Sequence, residues 1–79
     1  MRLSYLTALV DAAHGGPHPA LVRLETNGLI VEVRAYPANP GLSPRISSYL
    51  FTWEQLETES LDEQDVRTII HTMQMAVSR

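Results

Sequence analysis

The stretch ALVRLETNGLIVEVRAY, residues 20–36, decides how this chain folds. Two runs rich in branched aliphatic residues flank Asn27-Gly28, a pair suited to a type I′ turn because both central positions of that turn need positive φ. Pairing outward sets Thr26 opposite Leu29, Glu25 opposite Ile30, Leu24 opposite Val31 and Arg23 opposite Glu32. Val22 then meets Val33, and Ala20 meets Ala35. One face gathers Ala20, Val22, Leu24, Val31, Val33 and Ala35, while the other gathers Leu21, Arg23, Glu25, Ile30, Glu32, Arg34 and Tyr36. Side chains alternate along a strand, so a register that separates apolar from charged residues this cleanly supports itself.

Upstream, Leu3, Leu6, Leu9, Val10 and Ala13 recur at three- and four-residue spacing, which predicts an amphipathic helix over 5–14 with Ser4 as its cap. Gly15 and Gly16 supply a left-handed stop and Pro17 prevents continuation. Downstream, PANPGLSP (37–44) is a loop, since three prolines and a glycine do not sit in a ladder. RISSYLFTW (45–53) reads as a third strand. Tyr49, Phe51 and Trp53 share one of its faces, Ile46, Ser48 and Leu50 the other, and the pattern leaves open which is buried. Thr52 with Gln55, and Ser60 with Glu63, form two capping boxes. The first opens a short turn through Leu56. The second opens a terminal helix with Val66, Ile69, Ile70, Met73, Ala76 and Val77 on its apolar stripe, and Arg67, Thr68, His71 and Met75 opposite. The expected fold is one α+β domain over 1–79, a three-stranded antiparallel sheet between two helices (αβββα), with both helices on one face.

A chain of 79 residues buries only about 60% of its unfolded surface, so supplements such as disulfides, metals or oligomerisation matter. There is no cysteine, which excludes disulfides, fits a reducing cytoplasm and leaves a homodimer or another partner as the first supplement to expect. No apolar run approaches the roughly 20 residues that span a membrane. The start MRLSYLTALVDAA is interrupted by Ser4 and Thr7 and stopped by Asp11, which argues against a signal peptide and for a cytoplasmic protein. A net charge of −3 is the wrong sign for direct nucleic-acid binding. All six basic residues are Arg and none is Lys, a bias that suits a GC-rich genome.

Six of the nine acids fall in TWEQLETESLDEQD (52–65): Glu54, Glu57, Glu59, Asp62, Glu63 and Asp65. Carboxylates in the first turn of a helix each contribute about 0.3–1 kcal/mol, which accounts for Glu54, Asp62, Glu63 and Asp65. It leaves Glu57 and Glu59 unexplained, together with the lack of any Arg between Arg45 and Arg67. Crowded like charges repel one another, so a surface for a basic partner stands beside the capping explanation. Mimicry of DNA is a poor fit. Twelve helical residues cover about 18 Å, over which a duplex carries roughly ten charges, against six here. A basic protein surface is the better target.

The outward sheet face is the second candidate site. Leu21, Ile30 and Tyr36 align across two strands among alternating charges, with a possible extension to Tyr49 and Phe51. That is the pattern of an interface core with a polar rim, and a dimer mate or a target would equally cover it. No serine sits in a glycine-flanked elbow, and there is neither Cys nor Lys, so a positioned nucleophile is missing and no enzymatic activity is expected. His14 and His18 flank a Gly-Gly-Pro helix end rather than one helical face, and His71 is the only other histidine. They read as a helix-end group and a loop residue, and neither a metal nor a cofactor is expected.

A single acidic, cysteine-free domain, the ETNGLIVEV hairpin and a TWEQLE turn leading into a terminal helix together resemble the small anti-CRISPR proteins of phages and mobile elements. The resemblance lies in the layout of the chain and carries over no functional residue. It implies an inhibitor that binds a type I CRISPR effector complex, with I-C as the suggested subtype, in a bacterial host and blocks target DNA recognition. The residues expected to meet the partner are Glu54, Glu57, Glu59, Asp62, Glu63, Asp65, Leu21, Ile30 and Tyr36. The competing reading is a homodimeric accessory or regulatory module without catalysis.

Overall fold

The computed structural model describes residues 3–58 and 61–78, with the backbone alone at residues 3–5. Along the chain lie α1 (Leu3–His14), β1 (Ala20–Glu25), β2 (Gly28–Ala35), β3 (Arg45–Thr52), α2 (Trp53–Thr58) and α3 (Glu63–Ser78). The strands form one antiparallel sheet in the order β1-β2-β3. The α+β class and the helix, sheet, helix order agree with the sequence, and the turn through Leu56 is a short helix, α2. Among the described residues, no helix is long and apolar enough to cross a membrane.

Periodicity explains which faces meet. Val31 and Val33 of β2 and Phe51 of β3 are fully buried on the same sheet face, against Leu9 of α1, Leu56 of α2, and Val66 and Ile70 of α3. All three helices therefore cover one face. Each such side chain contributes about 1.5–3 kcal/mol relative to exposure. Tyr49 lies on this face too, its ring tilted against Phe51 at a centroid distance of 4.8 Å. The face of the third strand that the pattern left open is thereby assigned: Phe51 points in, Ile46 and Leu50 point out.

The hairpin register differs from the expected one by two residues. Glu25 pairs with Gly28, Leu24 with Leu29, Arg23 with Ile30, Val22 with Val31, Leu21 with Glu32 and Ala20 with Val33. Thr26-Asn27, not Asn27-Gly28, is the two-residue turn. The reason lies in β3. Gly28 is buried and pairs with Thr52 as well as Glu25, and a Cβ there would fall on the Phe51 carbonyl oxygen. Its glycine is needed for a close approach of backbones. Trp53 then fixes the turn, its backbone N–H donating to the Asn27 carbonyl at 3.0 Å and its indole Nε1 to the Thr26 carbonyl at 2.8 Å. Because the slip is an even number of residues, the sorting of faces survives it.

Smaller departures share a cause in helix packing. Helix α1 starts at Leu3, ahead of the expected 5–14, and the side chains of Leu3 and Ser4 lie outside the described residues. Ala8 is buried where Val10 was expected, and Val10 is 42% exposed. Neither Gly15 nor Gly16 adopts the left-handed conformation. The chain leaves α1 by docking on α3: a Cβ at Gly16 would fall on the Gln74 side chain. Gln74 is buried and accepts from the His18 N–H and donates to the His18 carbonyl, both at 3.1 Å. On α3, Val66, Ile70, Met73 and Val77 form the buried stripe, Ile69 is partly buried, and Ala76, expected inside, is exposed.

Candidate functional site

Since every helix packs on one side, the other sheet face is uncovered by the described chain. Its side chains are Leu21, Arg23 and Glu25 from β1, Ile30, Glu32 and Arg34 from β2, and Ile46, Ser48 and Leu50 from β3, with Tyr36 just beyond β2. Register sets Ile30 between Arg23 and Leu50, and Glu32 between Leu21 and Ser48. Leu21, Tyr36, Ile46 and Leu50 are all exposed and Ile30 is half-buried. The sequence placed Leu21, Ile30 and Tyr36 here correctly. The suggested extension through Tyr49 and Phe51 is wrong, because those rings point into the core. Ile46 and Leu50 continue the apolar patch instead, and alternation from Phe51 identifies them once its burial is known.

Charges on this face neutralise one another. Arg34 Nη2 donates to Glu32 Oε2 at 3.1 Å, and Arg23 Nε lies 3.6 Å from Glu25 Oε1. The Tyr36 hydroxyl, and next the Glu32 carboxylate, raise the Arg34 pKa further above its usual value, so its charge is permanent. The Arg34 Nε is shielded and has no hydrogen-bond partner. The exposed Arg23–Glu25 pair contributes about 0–1 kcal/mol, the Glu32 side chain is largely shielded, and the larger effect of both pairs is to keep the apolar patch free of net charge.

The acidic segment leaves β3 at the end of the sheet that carries the Gly28–Thr52 pair and runs through α2 into the start of α3, on the helix side. Much of it caps helices. Thr52 and Gln55 form the expected box: the Thr52 N–H donates to Gln55 Oε1 at 3.1 Å and the Gln55 N–H to Thr52 Oγ1 at 3.2 Å. At α3 a box is made by two acids, while the expected one of Ser60 and Glu63 falls on a residue outside the described ones. The Asp65 N–H donates to Asp62 Oδ1 at 2.7 Å, and the Asp62 N–H to Asp65 Oδ2 at 3.0 Å. Asp caps as well as Ser, and helix α3 begins at Glu63, directly after Asp62. Glu54 and Glu63 occupy first turns. Glu57 is exposed on α2 with no such role, while Glu59 and Ser60 lie outside the described residues. The structure thus separates the described ones among the predicted site residues into two groups, one on the open sheet face and one on the helix side.

The histidines are apart in function as well. His14 ends α1, His71 is exposed on α3, and His18 Nε2 is 2.7 Å from Ser78 Oγ. Among the described residues, no three His, Asp or Glu side chains come together as metal ligands would. Two open grooves border α3. One of about 460 Å³ runs past Ala12, Pro17, Arg67, His71 and Met75; the other, about 490 Å³, past Tyr36, Leu42, Arg45 and Val77. Comparison with family models, curated proteins and solved structures finds no match to this chain.

Proposed function

We propose that this chain is a protein-binding module without catalytic activity, that its partner docks on the open sheet face, and that the acidic α2–α3 segment draws in a basic surface. The observation that carries the reading is the uncovered patch of Leu21, Ile30, Tyr36, Ile46 and Leu50, apolar and internally neutralised, with the acidic segment following β3 where the Gly28–Thr52 pair ends the sheet. Apolar cores with charged rims are how specific interfaces are built, and a charged flank accelerates encounter more than it adds affinity. The anti-CRISPR resemblance supplies the target: a type I effector complex, whose DNA-recognising surface must be basic to hold phosphates.

The test is direct. A purified type I-C effector complex is mixed with the full chain, and its binding to target duplex is measured by mobility shift. Inhibition that is relieved by Ile30→Asp or Leu50→Asp is the expected result. An effector complex that neither binds the chain nor loses DNA binding removes the inhibitor reading.

A further inference from the structure

The hydrogen-bonding phase of the sheet exposes a second surface, the free edge of β3. The Arg34 N–H donates to the Pro19 carbonyl at 3.0 Å, so at Arg34 and at alternate residues from it the β2 backbone faces β1. Its intervening residues, Val33, Val31 and Leu29, face β3, where they pair with Ser47, Tyr49 and Phe51. The Trp53 N–H donating to Asn27 keeps the same phase. In an antiparallel ladder residues alternate between facing one neighbour and the other. Ile46, Ser48, Leu50 and Thr52 therefore turn their N–H and C=O groups away from the sheet. The Thr52 N–H is taken by Gln55. Among the described residues, Ile46, Ser48 and Leu50 are left as an unpaired edge.

Natural edges are guarded by Lys, Pro, bulges or inward-pointing charge, and the single charge on β3 is Arg45 at its first residue. Between Arg45 and Glu54 the sequence ISSYLFTW carries no charge, glycine or proline, and β3 pairs with β2 in unbroken register over its full length. The opposite edge, β1, is two residues shorter and carries the Arg23 and Glu25 pair.

We propose that β3 pairs antiparallel with β3 of a second copy about a two-fold axis at Ser48, joining two three-stranded sheets into one. The register is self-complementary. Ser48 meets Ser48, and Ile46 of each copy meets Leu50 of the other, an aliphatic pair on the open face at both ends. The ends also match in charge. Antiparallel pairing brings Arg45, which makes no ion pair among the described residues, towards the end of the other β3, where Glu54 stands in the first turn of α2. The side chains of Ile46 and Leu50 stay on the open face, so the apolar patch runs on across both copies. This dimer does not depend on which target that face takes. An interface of one strand pair with its flanking side chains falls at the small end for specific complexes, below about 1,200 Å² in total, and calls for micromolar association.

Sedimentation velocity of the full chain should give twice the 8.8 kDa of one chain at high micromolar concentration, dissociating on dilution. Ser48→Lys sets two ammonium groups face to face across the axis, where like charges repel, and should sediment as a monomer with unchanged far-UV circular dichroism. Cysteine variants read the register independently of that result. A hydrogen-bonded antiparallel pair holds its Cα atoms about 5.5 Å apart, within disulfide reach, whereas two copies of residue 46 are several residues out of register. Ser48→Cys should then form an intermolecular disulfide at least about tenfold faster than Ile46→Cys. A chain that stays monomeric at high micromolar concentration, or an open-ended polymer, overturns the proposal. So do equal cross-linking rates for the two cysteine variants.

Discussion

Gly28 and Gln74 each do something at the scale of single residues that their neighbours in sequence do not announce. The pair Asn27-Gly28 signals a turn, and a turn there is, but glycine's task is to let β3 approach: a Cβ would meet the Phe51 carbonyl oxygen. The two roles separate experimentally. A type I′ turn accepts Asn at either central position, so if Gly28 served only the turn, Gly28→Asn would be nearly neutral. Steric exclusion, together with a φ of 157° that L side chains rarely adopt, instead predicts a loss of about 1–3 kcal/mol for Gly28→Asn and Gly28→Ala alike, measured by urea denaturation. Gln74 sits on the apolar stripe of α3, where periodicity alone anticipates a hydrophobic residue, and its amide clamps both backbone groups of His18. Gln74→Leu keeps the volume and leaves that N–H and C=O unpaired, at a cost of about 1–3 kcal/mol. A thermal midpoint unchanged by Gln74→Leu would show that water replaces the clamp without loss. Neither role was legible in the sequence, because both depend on contacts between segments far apart in the chain.

Elements were more legible than contacts, because an element is written in local periodicity. The alternation in 20–36 and the three- and four-residue spacing in 63–78 identify strand and helix regardless of register, and the faces they define survive the two-residue slip of the hairpin. The third strand's orientation was undecidable until its neighbours were known, since both of its faces carry large apolar residues. Capping chemistry was read correctly at Thr52 and Gln55; at α3 the described box is Asp62 with Asp65, and the expected Ser60 lies outside the described residues. The sequence there offers two such spacings, Ser60 with Glu63 and Asp62 with Asp65, and the described hydrogen bonds join Asp62 and Asp65. Those two carboxylates now have a structural role with a measurable size. Asp62→Ala should cost about 0.5–2 kcal/mol and Asp62→Asn much less, because Asn retains the accepting oxygen. Glu57→Gln, with no backbone group to cap, should leave the denaturation midpoint in place.

Across the whole molecule, the layering of three helices on one sheet face determines what is left for recognition. The helix side supplies the folding core, and the far side, with Leu21, Ile30, Tyr36 and Leu50, stabilises the monomer little because the described chain does not cover it. Substitutions on the two sides should therefore have opposite signatures. Val31→Ala, in the core, should unfold the protein at lower urea concentration. Leu50→Ala and Tyr36→Ala should leave folding almost unchanged and weaken the target complex by speeding its dissociation, since a desolvated anchor is worth about 2 kcal/mol or more. The acidic end should act on the other rate. Glu54→Gln with Glu57→Gln removes exposed charges worth about 0–1 kcal/mol each in affinity, yet lowers the field that steers a basic surface into place. Binding kinetics at low and moderate salt distinguish the cases: slower association and a flatter salt dependence for the Gln pair, faster dissociation at either salt for Leu50→Ala and Tyr36→Ala. Should the Gln pair associate as fast as the parent at low salt, the carboxylates of residues 52–65 serve only their helices, and recognition rests on the open sheet face alone.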